Sequence, residues 1–213
     1  WIFVIPATPP VHEIELLDME HSLSTSAPPD YSQEERELLL ATAADSVDFG
    51  LGRGEPFPVV PENFPPALQK IRASFVTLKK HGDLRGCIGS VKAIDPLVKD
   101  VAINAFKSAF SDPRFSKLKA DETESLQISI SILRTPVRLL ASSEADLLAE
   151  LRPGIDGLIL EEGNRHATFL PAVWESVPDP NLFILLLKQK GGWADRYWSK
   201  DMTCYTYTTV LVE

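Results

Sequence analysis

Cysteine is scarce: this chain of 213 residues has two, Cys87 and Cys204. They lie far apart at no regular spacing, which excludes a disulfide framework and a cysteine zinc site. Reduced thiols in a cytoplasmic setting are the simplest expectation. Long apolar runs are missing too. No stretch approaches the roughly 18 residues that a spanning helix needs, so a soluble protein without a membrane partner is expected. Basic residues are outnumbered, 21 against 30 acidic ones, for a net charge of −9. That balance repels phosphate backbones at long range and argues against nucleic acid as a partner. There is no internal repeat and no low-complexity tract. A chain that opens on Trp1 rather than methionine reads as a fragment or a processed product.

What is present suits a globular domain. Apolar residues make up 44% and charged ones 24%, and a chain of this length buries a core without covalent staples. Residues 1–31 carry proline pairs around short apolar runs and read as an extended arm, in which "IFVI" suits an edge strand. Order begins at Ser32, which forms a capping box with Glu35 ahead of a helix through Leu39, Ala43 and Val47. The glycines and prolines of "GLGRGEPFPVVPENFPP" end that helix in a long loop. No strand precedes this G-x-G-x-G and no lysine or serine closes it, so it is a turn rather than a phosphate cradle.

"ASFVTLKK", "HGD" and "LRGCIGSV" read as a hairpin around a glycine turn. A helix follows, with Asp95 as its cap and Pro96 at its first position. "LQISISILR" alternates as a half-buried antiparallel strand, one face to the core and the other to solvent or a cleft. A short capped helix, two strands around "EEGNRH", an almost wholly apolar helix ending at Gly191 and Gly192, and one last strand, "TCYTYTTVLV", complete the order. Without a βαβ rhythm the fold is α+β, with a largely antiparallel sheet flanked by helices.

The chemistry concentrates at "LRGCIGS". On a regular strand Arg85 and Cys87 share a face, which makes the guanidinium an electrostatic neighbour of the thiol. Gly86 and Gly89 let a substrate or another backbone come close. Two readings stand for Cys87: a nucleophile or anion-binding thiolate, and a packed core cysteine. Of the histidines, His12 and His21 lie in the arm, His81 in the hairpin turn, and His166 near a turn after Glu161 and Glu162. Only spatial adjacency would make His166 a partner of the thiol. Asp112 and Arg114 follow a helix; an internal salt bridge is the better reading, and carboxylate recognition by Arg114 is the other. Asp156 reads as a turn residue. Trp174, Trp193, Tyr197 and Trp198 read as core, and Cys204 as structural. No group of residues has the spacing of a metal site, and no cofactor motif is present.

"FVTLKKHGDLRGCIGS", "DPRF", "GIDGLILEEG", "FLPAVWE" and "KGGWADRYW" occur in the order that characterises the AMMECR family, named for a human chromosomal region. Residues 32–213 resemble that family, and the L-R-G-C-I-G hexapeptide is its hallmark. The resemblance implies a larger and a smaller lobe with a cleft between them, toward which the hexapeptide faces. It also implies Memo-like and radical-SAM proteins as partners, and brings no established substrate or cofactor. The expectation is an enzyme or enzyme accessory that binds a small anionic molecule in the cleft. Cys87 and Arg85 would act there as thiolate and electrostatic partner, with Gly86, Gly89, Asp112, Arg114 and His166 around the ligand. The rival is a non-catalytic interaction module in which the hexapeptide only staples a hairpin.

Overall fold

The computed structural model describes residues 30–213. The expected edge strand "IFVI", His12 and His21 lie outside the described residues; of the arm, only Asp30 and Tyr31 fall within them. Helix α1 spans Gln33–Arg53 and starts with the capping box: the Glu35 N–H donates to Ser32 Oγ, and the Ser32 N–H donates to the Glu35 carboxylate. It runs past the expected glycine stop, because Gly50 sits inside it against the rings of Phe106 and Phe110. A Cβ there would lie 2.5 Å from Phe110. The helix ends at Gly54, whose φ of 74° supplies the left-handed cap.

Strands β1 (Ser74–Lys80) and β2 (Asp83–Gly89) form the expected hairpin, its two-residue turn made by His81 and Gly82, both at positive φ. Helix α2 covers Leu97–Phe110, one residue later than Asp95 as cap would give. Pro96 is extended at the cap position, and the first free N–H groups, those of Leu97 and Val98, donate to the carbonyls of Lys70 and Leu68. Asp95 pairs with Lys99 instead. Then come β3 (Leu126–Leu133), β4 (Val137–Leu139), α3 (Glu144–Glu150), β5 (Gly157–Glu162), β6 (Arg165–Phe169), α4 (Pro180–Lys190), β7 (Thr203–Tyr207) and β8 (Thr209–Val212).

The α+β class is as expected, with antiparallel pairing throughout, but the strands form two four-stranded sheets rather than one: β2-β1-β3-β8 and β4-β7-β5-β6. The final strand is therefore two strands. The chain bends at Thr208, and β7 and β8 serve different sheets. Beside that bend β3 gives way to β4 in the same manner, and the Arg134 N–H donates to the Thr208 carbonyl at 2.9 Å.

Each sheet has its own core. Val76, Leu78, Ile130, Ile132 and Val212 meet the apolar faces of α1 and α2. Burying such side chains is the main favourable contribution, roughly 1.5–3 kcal/mol each. In the second sheet Leu158 and Leu160 pack with α3, α4 and Trp174, whose ring stacks on Phe183 with centroids 3.7 Å apart. Ala73, Leu133, Ile159 and Tyr207 form a third cluster that joins the sheets, with Phe75 and Leu170 against it.

Candidate functional site

Beside that joint a cavity of about 470 Å³ is lined from both sheets. Phe75, Cys87 and Ile88 come from β1 and β2, Asp112, Pro113 and Arg114 from the turn after α2, and Thr168, Phe169, Leu170, Val173 and Lys190 from the second sheet and its helix. Two of the expected site segments, the hexapeptide and "DPRF", thus meet in one place.

Cys87 is half-buried, and its thiol accepts a hydrogen bond from the Thr77 hydroxyl at 3.4 Å, across the pair Thr77↔Cys87. Its strand is fastened to the turn. The Cys87 N–H donates to Asp112 Oδ2 at 2.9 Å, and Arg114 Nη2 donates to the Cys87 carbonyl at 3.2 Å. Asp112 is 5% exposed and also receives the Arg114 backbone N–H, Nε and Nη2. The bonds from Arg114, opposed by burial and helped by the Cys87 N–H, hold its carboxyl well below the usual range. The internal salt bridge expected for Asp112 and Arg114 is present. Arg114 Nη1 has no hydrogen-bond acceptor among the described residues.

Arg85 lies elsewhere. The register of β1 and β2 slips between Leu78 and Lys79, so that Gly86 faces Leu78, Leu84 faces Lys79, and Arg85 is the extra residue of a bulge. The strict alternation that would put Arg85 beside the thiol fails at that point. Nε and Nη2 of Arg85 form a fork onto Glu122 at 3.0 Å each, and Nη2 also donates to the Ser116 carbonyl. Lys80 shares the same carboxylate, and these bonds, with one from the Lys119 N–H, bring the Glu122 pKa down to about 2. Arg85 Nη1 is buried without a hydrogen-bond partner among the described residues.

Among the described residues, the cations on the cavity are Arg114 and Lys190. Lys190 is exposed as a residue, yet its amine is seated: Nζ donates to the Thr168 carbonyl at 3.0 Å and lies 5.2 Å from the centre of the Phe169 ring. Lost hydration there lowers its pKa, negative charge on Cys87 would oppose the shift, and Arg114 adds to it. Nothing in the sequence marks Lys190, because a lysine at a helix C-terminus is the ordinary complement of the helix dipole.

The glycines split in role. A Cβ on Gly86 would lie 2.1 Å from the Ser108 carbonyl of α2, so the close approach there is by another backbone and not a ligand. Ser108 also donates to the Val76 carbonyl and accepts from the Ile88 N–H, wedging α2 against the hairpin. Gly89 lies under the Phe75 ring, a wall of the cavity.

His166 is in strand β6, paired with Glu161, and not in a turn. It faces a neighbouring cavity of about 490 Å³ with Ser90, Lys92, Asp100 and Lys107, so it does not join Cys87.

Other marked segments are scaffold. Asp156 is 2% exposed and holds the Arg152 guanidinium and backbone N–H, while its carbonyl accepts from Trp174 Nε1. Glu162 gathers Trp193 Nε1, the Tyr197 and Ser199 hydroxyls and Arg165, which brings its pKa down to about 2, the Ser199 bond acting most strongly. Cys204 is 1% exposed, and burial pushes its thiol up to about 11, consistent with a structural role.

The chain has similar counterparts among known proteins. The AMMECR1 family model matches residues 40–212. The chain belongs to this family. Among curated AMMECR1-like sequences, a protein of Methanothermobacter thermautotrophicus is 35% identical over 142 residues, covering 67% of this chain and 73% of that one. One of Thermococcus onnurineus is 33% identical over 164 residues, covering 72% and 78%. A protein of Saccharolobus islandicus is 41% identical over 109 residues, about half of each chain at 49% and 48%. The crystal structure of an uncharacterized protein of Pyrococcus horikoshii superposes with a TM-score of 0.78 at 29% identity, over 85% of this chain and 92% of that one. Among the described residues no helix is long and apolar enough to cross a membrane, and no cluster of histidine, cysteine and carboxylate suits a metal.

Proposed function

We propose that the cavity between the two sheets is the cleft of this AMMECR1-family protein, and that it binds a small anionic molecule beside a reactive Cys87 thiolate. The observation that carries this reading is the convergence of one accessible thiol with the ammonium of Lys190 and the guanidinium of Arg114 on walls otherwise rich in apolar side chains. Cations beside a thiol favour its anionic form, and apolar walls strengthen their pull on an incoming anion. Arg114 and Lys190 take the electrostatic role first expected of Arg85, whose fork is spent on Glu122. Arg85 keeps an indirect part by fixing the bulge next to Cys87.

The test compares iodoacetate with neutral iodoacetamide at Cys87. A site built for anions raises the ratio of the two rates above that of a free thiol, and Lys190→Gln and Arg114→Gln bring it back. An unchanged ratio in both variants overturns the reading.

A second reading, a docking module for Memo-like or radical-SAM proteins, draws on the open edge of the second sheet. There β4 and the residue after it expose Val137 at 67% and Leu140 at 86%. Under that reading Val137→Lys with Leu140→Glu abolishes co-purification with a Memo-like protein while Cys87 labelling is unchanged.

A further inference from the structure

We infer that Lys190 is a carbonyl-capturing amine, and that the ligand of the cavity is a small 2-oxo acid or aldehyde acid held as an imine. The inference rests on the anion-binding reading above and names the substrate class. An amine becomes a nucleophile in water near neutral pH when it is desolvated and placed beside a second cation. Geometry supplies both: the Lys190 amine is seated against the Phe169 ring on a cavity whose walls include Phe75, Leu170 and Val173, and Arg114 lines the same cavity. Lost hydration lowers the Lys190 pKa, negative charge on Cys87 works against the shift, and Arg114 adds to it. The Thr168 carbonyl takes one N–H and leaves the nitrogen lone pair of the neutral amine free.

The counter-charge is also present. Arg114 is fixed through Nε and Nη2 by Asp112, and its Nη1, without an acceptor among the described residues, remains for a ligand carboxylate. Amine and guanidinium on one cavity match a molecule with a carbonyl next to a carboxylate. In the step, the neutral amine forms a bond to the carbonyl carbon, whose oxygen takes up a proton. The carbinolamine then loses that oxygen as water, and the protonated imine keeps the positive charge on nitrogen. No oxidant or reductant is consumed. Cys87, on the same cavity, can add to the imine carbon or, where the carbon next to it bears hydrogen, exchange a proton there.

The experiment incubates the protein with glyoxylate or pyruvate and sodium cyanoborohydride, which reduces the imine to a stable secondary amine, and maps adducts by peptide mass spectrometry. The expected result is a saturable adduct on Lys190, far above that on the exposed Lys92 and Lys107. Lys190→Arg keeps the charge and loses the adduct. Cys87→Ser keeps the adduct, and thermal melting of both variants verifies that they fold. If Lys190 gains no more adduct than Lys92 and Lys107 while the oxo acids still protect Cys87 from iodoacetamide, the imine is overturned and anion binding stands. If there is neither adduct nor protection, both readings fall.

Discussion

The main-chain N–H of Cys87 donates to the Asp112 carboxylate at 2.9 Å, which ties the strand that carries the thiol to the turn that carries Arg114. Asp112→Ala removes the acceptor from a backbone N–H and frees Arg114. A loss of about 1 kcal/mol in stability is expected, since a half-buried donor is left unpaired while the half-exposed guanidinium returns to water. Urea unfolding measures the loss, and hydrogen exchange at the Cys87 amide locates it.

Acid sensitivity follows from the same carboxylate. Asp112 and Glu122 have folded-state pKa values below their unfolded ones, Glu122 at about 2. Their contribution is complete above the ordinary carboxylate pKa of roughly 4 and disappears as pH falls through the folded values, because the unfolded chain binds the protons first. Asp100 acts in the opposite direction. Burial raises its pKa despite hydrogen bonds from Ser74 and Ser90, so its effect on stability is most favourable at low pH and declines as pH rises toward its folded value. Urea midpoints taken from pH 7 down to pH 2 should therefore fall steeply below about pH 4, less steeply in Glu122→Gln. Asp100→Asn should be nearly neutral at pH 7.

Gly86→Ala and Gly89→Ala separate packing from the cavity. At Gly86 the new methyl meets the Ser108 carbonyl, a backbone atom that moves only with α2, so a cost of about 1–3 kcal/mol is expected, as for an overpacked core. At Gly89 it meets the Phe75 ring at 2.2 Å, which must turn into the cavity. Melting curves should shift mainly for the first substitution. The rate of Cys87 labelling should fall mainly for the second.

The two thiols differ in access. Cys87 should react with iodoacetamide in the folded protein, and Cys204, 1% exposed with its pKa pushed up to about 11, only as the protein unfolds. Peptide mass spectrometry along a urea titration checks this, with Cys204 labelling tracking the unfolding curve.

The local elements were legible in the sequence where short-range chemistry decides them. The Ser32 and Glu35 box, the turn at His81 and Gly82, and the alternation of β3 are settled within a few residues, and the structure has them where the pattern places them. What escaped is set at longer range. Nothing in "TCYTYTTVLV" marks Thr208 as a bend, since both halves have strand-forming side chains. The change of sheet comes from pairing with Arg134, far away in the chain. The bulge at Arg85 likewise depends on Glu122, Ser116 and α2, none of them neighbours in sequence. At the site, Cys87, Asp112 and Arg114 were visible as reactive residue types, whereas Lys190 is assigned only by the ring and carbonyl it meets across the cavity.

The paired bends at Arg134 and Thr208 mean that the second sheet, with its helices, enters and leaves the first at a single point. It is an insert between β3 and β8, which remain hydrogen-bonded neighbours in the host. A short turn joining Leu133 to Thr209 would restore an uninterrupted hairpin. The cavity divides along the same seam: Phe75, Cys87, Asp112 and Arg114 belong to the host, and Thr168, Phe169 and Lys190 to the insert. Neither part owns the chemistry, and a host stripped of its insert would keep the thiol of the hexapeptide with nothing across from it.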